Sequence, residues 1–295
     1  MRYWRNLPLK VKRVVLINDI SGIGRCSLGA AIPILSCLGL QVSPVVTAVL
    51  TSQTAFPNYY KKDLPEILEQ SSRVFCELGI KIDGCIAGFF TSPEQVNNTI
   101  GFFQCVKKAE ATLIVDPIMG DDGKIYSSFD KKLCDAVSVL AQHADIITPN
   151  LTEACILGGI DYNTLVNSQS DKDYIDKVIS SCKVLLDNNK RAVVITGVRH
   201  IDTLDGISKI NNILITKELI KVKGNVAREG TYSGAGDIFA AVFGGLVIAG
   251  AVCEKAFDIA CDFVAEAIEN TGENTDRREG LDFEPILKIL TNIVI

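Results

Sequence analysis

The chain is poor in histidine, with only His143 and His200 in 295 residues, and it has a single tryptophan. Two imidazoles exclude a His-rich metal centre, and both read as structural residues, His143 near a helix end and His200 in a surface turn. None of the ten cysteines forms a Cys-x-x-Cys pair; they are scattered at Cys26, Cys37, Cys76, Cys85, Cys105, Cys134, Cys155, Cys182, Cys253 and Cys261. Most sit among apolar neighbours, where a thiol behaves as a small core residue. Disulfide frameworks belong to shorter, loop-rich secreted chains, so the pattern predicts reduced thiols and a cytoplasmic setting. No run of about 18 apolar residues is present to span a membrane. The mixed, basic stretch from Met1 to Lys12 lacks the apolar core of a signal peptide. Positive charge is short as well: 30 Lys and Arg against 35 Asp and Glu leave a net −5, which argues against a nucleic-acid or polybasic membrane surface. There is no G-x-x-x-x-G-K-[ST] phosphate loop and no G-x-S-x-G elbow. Gly22 and Gly24 open a dinucleotide fingerprint, but its third glycine would fall on Ser27, so that reading fails.

What is present is apolar residue in quantity, 47% of the chain, enough for a sizeable core. It comes in short continuous runs: Val14 to Ile17, Val45 to Leu50, Cys85 to Ala87, Leu113 to Val115, Asp145 to Thr148 and Ala192 to Thr196. Continuous runs mark strands buried on both faces. Amphipathic stretches lie between them. Phe129, Leu133, Ala136, Val137 and Leu140 fall at helical spacing behind Ser127 and Ser128, which are candidate caps, and Pro93 with Ser92 before it opens another helix. The apolar, glycine-interrupted segment from Ile238 to Val252 suits a buried core helix. The alternation implies a three-layer α/β/α fold with a mostly parallel central sheet. Near residue 205 the pattern changes. Segments at Gly206 to Ile210, Ile213 to Thr216 and Leu219 to Val222, joined by Asn211-Asn212 and Lys217-Glu218, predict a small antiparallel meander. With no low-complexity linker and no repeat, residues 13–295 read as one domain behind a short extension, 1–12.

In open α/β sheets ligands bind beyond the carboxyl ends of the strands. Polar and glycine residues concentrate there: Asn18 to Gly24, Thr47 with Thr51 to Gln53, Gly88 to Phe90, Asp116 to Asp121, Thr148 to Glu153, and Thr196-Gly197. The sharpest element is Thr231 to Asp237, leading into Ile238-Phe239-Ala240-Ala241. Its glycines permit a tight turn that exposes successive N–H groups, and a helix start adds unpaired donors and a positive dipole end. Together these form an anion site with a carboxylate, Asp237, beside it. Read alone, the same motif also fits an ordinary capped helix start.

Four motifs in order, Asn18 to Gly24, Asp116 to Asp122 with Gly123 and Tyr126, Thr148 to Glu153, and Gly234 to Asp237, resemble the ribokinase-like superfamily, and within it the pyridoxal kinase and hydroxymethylpyrimidine kinase branch. The resemblance covers nearly the whole chain after about residue 12. It implies ATP-dependent phosphorylation of a hydroxymethyl group on pyridoxal, pyridoxamine or pyridoxine, a vitamin B6 salvage step, or of hydroxymethylpyrimidine. A non-catalytic ligand-binding protein on the same fold is the reading from another class. By matching position, Gly234, Ala235 and Gly236 resemble the anion hole and Asp237 the catalytic base. Asp116 and Glu153 match residues that organise Mg²⁺, and Asn150 shares the N-x-x-E motif with Glu153. Tyr126, Thr148, Thr196, Gly197 and Thr231 fall on the nucleotide side, and Asp19, Thr47 and Phe89 on the acceptor side. The resemblance further implies ATP and Mg²⁺, with a monovalent cation such as K⁺ as a further candidate, and a homodimer acting on a small molecule, without nucleic-acid or membrane partners. Ala235 stands where the family often has Thr; Asp19 stands where many pyridoxal kinases have Ser.

Overall fold

The computed structural model describes residues 11–186, 190–202, 206–228, 230–272 and 275–293. Most of the predicted extension, residues 1–10, lies outside the described residues.

Eleven strands follow in chain order: β1 (Arg13–Ser21), β2 (Gln41–Leu50), β3 (Lys61–Asp63), β4 (Ile82–Ala87), β5 (Lys107–Val115), β6 (Gly120–Asp121), β7 (Lys124–Ile125), β8 (Ile146–Ile147), β9 (Ala192–Ile201), β10 (Ser208–Ile215) and β11 (Ile220–Val226). The α-helices are α1 (Ser27–Cys37), α2 (Ile67–Glu77), α3 (Pro93–Val106), α4 (Lys131–His143), α5 (Leu151–Gly158), α6 (Tyr162–Val166), α7 (Tyr174–Cys182), α8 (Ala235–Ala249), α9 (Cys253–Asn270) and α10 (Lys288–Thr291). Nine strands form one sheet in the order β11-β10-β9-β8-β5-β4-β1-β2-β3, and β6 pairs with β7 separately. The run from β2 through β1, β4, β5 and β8 to β9 is parallel, while β3, β10 and β11 add antiparallel edges.

Alternate residues of β1 explain its unbroken apolar run. Val15 and Ile17 enter a core built with α3, α4, α5 and α7, where Phe102, Leu140, Ala154 and Val178 are buried. Val14 and Leu16 enter the opposite core with α1, α8 and α9, through Leu28, Ile34, Phe243 and Phe257. A strand covered on both faces must be apolar at every position. The segment from Ile238 enters α8 as a core helix, buried without a break from Ile238 to Ile248. Ser92 caps α3 by accepting from the Gln95 N–H, and Pro93 occupies its first turn.

Several local expectations are corrected. The cap of α4 is Asp130, whose carboxylate accepts from Leu133 N at 2.8 Å, and Ser127 and Ser128 precede the helix as turn residues. Asn211-Asn212 is not a turn: β10 runs straight through both, with a bulge against β9. Their amides are satisfied within the sheet, Asn211 by Val198 O and His200 Nδ1, and Asn212 Oδ1 by Gly197 N. His200 is consequently a strand residue of β9 rather than a turn residue. Not all thiols are free, since Cys76 on α2 and Cys105 on α3 are joined as a disulfide with Cα atoms 6.4 Å apart. The side-by-side packing of α2 and α3 brings these exposed residues together across 29 positions of sequence. Among the described residues, no helix is long and apolar enough to cross a membrane.

Candidate active site

β1 lies between β2 and β4, so the chain leaves it in opposite directions and the strand order reverses there. A crevice opens at such a point beyond the carboxyl ends, and the predicted residues gather around it.

The Gly234 turn enters α8 with Gly234 at the N-cap, φ +78°, and no side chain caps the helix. A Cβ at Gly234 would run into the Arg25 carbonyl, so the close approach of the β1–α1 loop requires glycine. That loop is tied down by Arg25, which pairs with Asp282 at 2.9 Å and Glu284 at 2.7 Å. Gln53, just beyond β2, donates to Ser233 Oγ at 3.1 Å and to Arg278 O at 2.7 Å. Ala235 N is engaged by Tyr232 O at 3.4 Å. Thr231, ahead of the turn, is exposed.

Asp237, in the first turn of α8, accepts a hydrogen bond from Asn18 Nδ2 at 3.2 Å. Burial raises its pKa to about 6, and the nearby Asp19 charge adds to the rise, against the Ser27 backbone N–H and the Asn18 amide. Asp116, following β5, is buried and takes the Thr148 hydroxyl at 3.1 Å. Burial and then the Asp237 charge push its pKa up to about 7. Glu153 is buried in α5, with Oε1 accepting from Met119 N at 3.1 Å and Oε2 from Asn150 N at 2.9 Å. Asn150 completes a capping box by accepting from Glu153 N, and its amide donates to Gly120 O. Burial, then the Asp116 charge, raises Glu153 as well. Among the described residues no Lys or Arg forms an ion pair with Asp116, Glu153 or Asp237. Three buried carboxylates raised without a counter-charge are groups whose ionised form a nearby cation would favour.

On the acceptor side Asp19 is buried, with its oxygens engaged by Ser27 Oγ at 2.6 Å and Ser21 Oγ at 3.1 Å. Burial raises its pKa against those hydroxyls. Thr47 donates to Phe89 O at 2.9 Å, and Phe89 N donates to Asn18 Oδ1 at 2.9 Å, which links this side to Asp237 through one amide. The Phe89 ring meets Phe129 edge-on at 5.8 Å, and Phe129 continues to Tyr126 at 6.5 Å. Burial, followed by the charges of Asp121, Glu153, Asp116 and Asp237, raises the Tyr126 phenol.

Thr196 and Gly197 lie on β9, where Thr196 pairs with Asn150 in a parallel bridge. Thr196 N donates to Pro149 O at 2.9 Å, and Gly197 N to Asn212 Oδ1 at 3.0 Å. No described hydrogen bond joins them or Thr231 to Asp237 or Asp116. Sequence patterns gave no role to Asn18, Ser27 or Gln53. Asn18 ends an apolar strand run and Ser27 fills a failed glycine position, but their roles depend on partners 71 or more residues away for Asn18 and 8 away for Ser27.

The sequence profile of the phosphomethylpyrimidine kinase family matches residues 29–280. A Bacteroides thetaiotaomicron protein assigned to the phosphomethylpyrimidine kinases, solved with pyridoxal, is 30% identical with a TM-score of 0.86, over 95% of this chain and 96% of that one. The pyridoxine/pyridoxal/pyridoxamine kinase of Bordetella bronchiseptica is 25% identical over 279 residues, 90% of this chain and 91% of that protein. The match to the pyridoxal kinase of Actinobacillus pleuropneumoniae is 27% identical over 170 residues and spans about half of that protein, 54%. A profile match over most of the length, together with the ribokinase-like sheet layout, makes the chain a member of the phosphomethylpyrimidine kinase family.

Proposed function

We propose that the chain transfers the γ-phosphoryl group of ATP to the hydroxymethyl group of pyridoxal and its B6 relatives. The observation that carries this reading is the placement of Asp237. It sits at an uncapped helix start, linked by Asn18 to the Thr47–Phe89 side, and close enough to Asp116 to raise that group's pKa. A base, the N–H groups of a helix start and buried carboxylates without a counter-charge are what phosphoryl transfer asks of a protein, since the chemistry needs alignment and charge stabilisation more than covalent help.

A carboxylate cannot ionise an alcohol in advance. Asp237 takes the hydroxyl proton as the new O–P bond forms and ADP departs with the electrons of the broken P–O bond. Its raised pKa makes it a stronger base than an ordinary Asp while leaving it mostly ionised at neutral pH. The N–H groups at the start of α8 face the charge on the transferring group. The donor set fits Mg²⁺ carried largely by phosphates and water: among the described residues no group of three or more His, Cys, Asp or Glu could hold a metal. Asp116 would hold the ion, and Glu153, whose oxygens are both engaged by backbone N–H groups, would act through water. When bound, Mg²⁺ neutralises phosphate charge. Asn150 positions Glu153, Tyr126 covers the carboxylates, and Thr148, Thr196, Gly197 and Thr231 line the nucleotide side. A K⁺-type monovalent ion and a homodimer belong to the same reading.

Hydroxymethylpyrimidine is the second acceptor class; the profile of phosphomethylpyrimidine kinases favours a pyrimidine of this kind. ATP-dependent phosphorylation of pyridoxal, pyridoxine, pyridoxamine and hydroxymethylpyrimidine side by side, read by product mass, tests the proposal. Phosphate on the pyridines supports it, on the pyrimidine alone replaces the acceptor, and on none refutes it.

A further inference from the structure

Asn18 is a buried polar side chain, 5% exposed, for which the motif pattern offers no role. It lies near the end of β1, where the register with β2 slips between Asn18 and Ile20. A bulge of this kind re-aims side chains beside a site. Both ends of its amide are committed. One terminal atom receives two backbone N–H groups, from Asp19 at 3.0 Å and from Phe89 at 2.9 Å. Only the amide oxygen can accept from both. The nitrogen must therefore face Asp237, and it meets Oδ1 at 3.2 Å.

The surroundings leave the amide no second position. A Cβ on Gly88 would stand 2.7 Å from Asn18 Nδ2 and 3.1 Å from Cγ, so the Gly88 backbone packs directly against it. Asp19, whose N–H binds the amide oxygen, is itself anchored by Ser27, held at φ +48°. An N–H donor aimed at one carboxylate oxygen engages a lone pair there and fixes how the carboxylate is oriented.

We infer that Asn18 is a positioning residue for the transfer: beside the Ser27 backbone N–H, it holds the Asp237 carboxylate through Oδ1 and locks the base in register with Phe89 on the acceptor side. The inference rests on the proposed role of Asp237 as base. In the step, the alcohol O–H bond breaks, its proton moves to the Asp237 carboxylate and its oxygen joins the γ-phosphorus. The bond from that phosphorus to the bridging oxygen breaks, and its electron pair leaves on ADP. Without the Asn18 donor, the carboxylate keeps only the Ser27 backbone N–H and is held less closely in line with the hydroxyl.

Asn18→Asp separates this role from folding. A carboxylate at position 18 still accepts from Phe89 N and Asp19 N, but it offers Asp237 a second negative charge in place of a donor. The full-length enzyme is assayed with pyridoxal and Mg²⁺-ATP, and ADP binding by calorimetry checks the fold. The expected result is a fall in kcat of about 10- to 150-fold, the range for one hydrogen bond to a charged group. KM for pyridoxal should stay within about threefold, because uniform binding is untouched. Gly88→Ala, which pushes on the amide from the other side, should lower kcat in the same direction. Combined with Asp237→Asn, the Asn18→Asp change should cost almost nothing more, since residues acting as one unit are non-additive. Asn18→Asp with near-normal kcat overturns the inference. So does a rise in KM matching the fall in kcat, which would make Asn18 an acceptor ligand, or a full additional loss on the Asp237→Asn background. If Asn18→Asp does not bind ADP, Gly88→Ala decides by the same criteria. Near-normal turnover by Asp237→Asn alone removes the base assignment and this inference with it; an inactive Asp237→Asn beside an active Asn18→Asp removes only this one.

Discussion

Asp116→Asn should make the metal-free protein more stable at alkaline pH. Asp116 is 8% exposed and its Oδ1 accepts the Thr148 hydroxyl. The asparagine oxygen can accept that bond too, so the substitution removes the ionisable group and little else. Burial and the Asp237 charge raise the carboxyl from 3.8 to about 7. A carboxyl whose folded pKa lies above its unfolded value binds its proton more tightly when folded. Its stabilisation is complete below about pH 4 and is lost as pH rises through about 7. At pH 8 the wild-type fold must therefore hold a buried charge that the unfolded chain holds in water. The cost is a few kcal/mol at most, on the order of 1.4 kcal/mol for each tenfold change in proton affinity, and Asp237 and Glu153 share the strain. At pH 5 the folded group is protonated already, and about 1–2 kcal/mol of the difference remains. Thermal melts in chelator should show Asp116→Asn above wild type by several degrees at pH 8, at roughly 2–4 °C per kcal/mol, with a smaller gap at pH 5. Adding Mg²⁺-ATP should raise the wild type more than the variant. A variant that melts below wild type at pH 8, or an offset independent of pH, would refute the claim that the site stores uncompensated negative charge.

Asp237→Asn should retain nucleotide binding and lose about 10²- to 10⁴-fold in kcat, the usual contribution of a general base; stopped-time product assays check it. Because the ionised form is the base, kcat/KM should fall tenfold per unit below about pH 6, where Asp237 titrates, and a rate flat down to pH 5 would contradict the role. Glu153→Gln should raise the Mg²⁺ concentration needed for half-maximal rate, and an unchanged Mg²⁺ titration would count against its part in the metal site. Gly234→Ala should lose more than about 1 kcal/mol of stability together with turnover, because the new Cβ meets the Arg25 carbonyl at a left-handed φ; chemical denaturation beside kinetics checks both.

Much of the fold was legible. Continuous apolar runs located the parallel strands because burial on two faces leaves no place for alternation. Ser92-Pro93 announced α3 because capping and a fixed φ act locally. Asn211-Asn212 misled because its turn propensity is overridden inside β10, where Val198, His200 and Gly197 satisfy both amides. Asp130 displaced the two serines as cap through a choice among neighbouring polar residues that spacing does not resolve. The Cys76–Cys105 pair was hidden for another reason: its spacing has meaning only once α2 and α3 lie side by side.

The candidate site divides along the same line. The sequence by itself determined the chemical vocabulary, with a glycine turn and carboxylate at Gly234–Asp237, an N-x-x-E capping box at Asn150–Glu153 and a carboxylate after a strand at Asp116. Each of these is specified within a few residues by backbone geometry. Tertiary structure alone decided which groups face one another. Asn18 reaches Asp237 across 219 positions, Gln53 reaches Ser233 across 180, and Glu153 reaches Met119 across 34. Those contacts exist because the sheet reverses its order at β1 and brings distant strand ends to one edge. The raised pKa values of Asp116, Glu153 and Asp237 arise there as well, from burial and from neighbouring carboxylates distant in sequence.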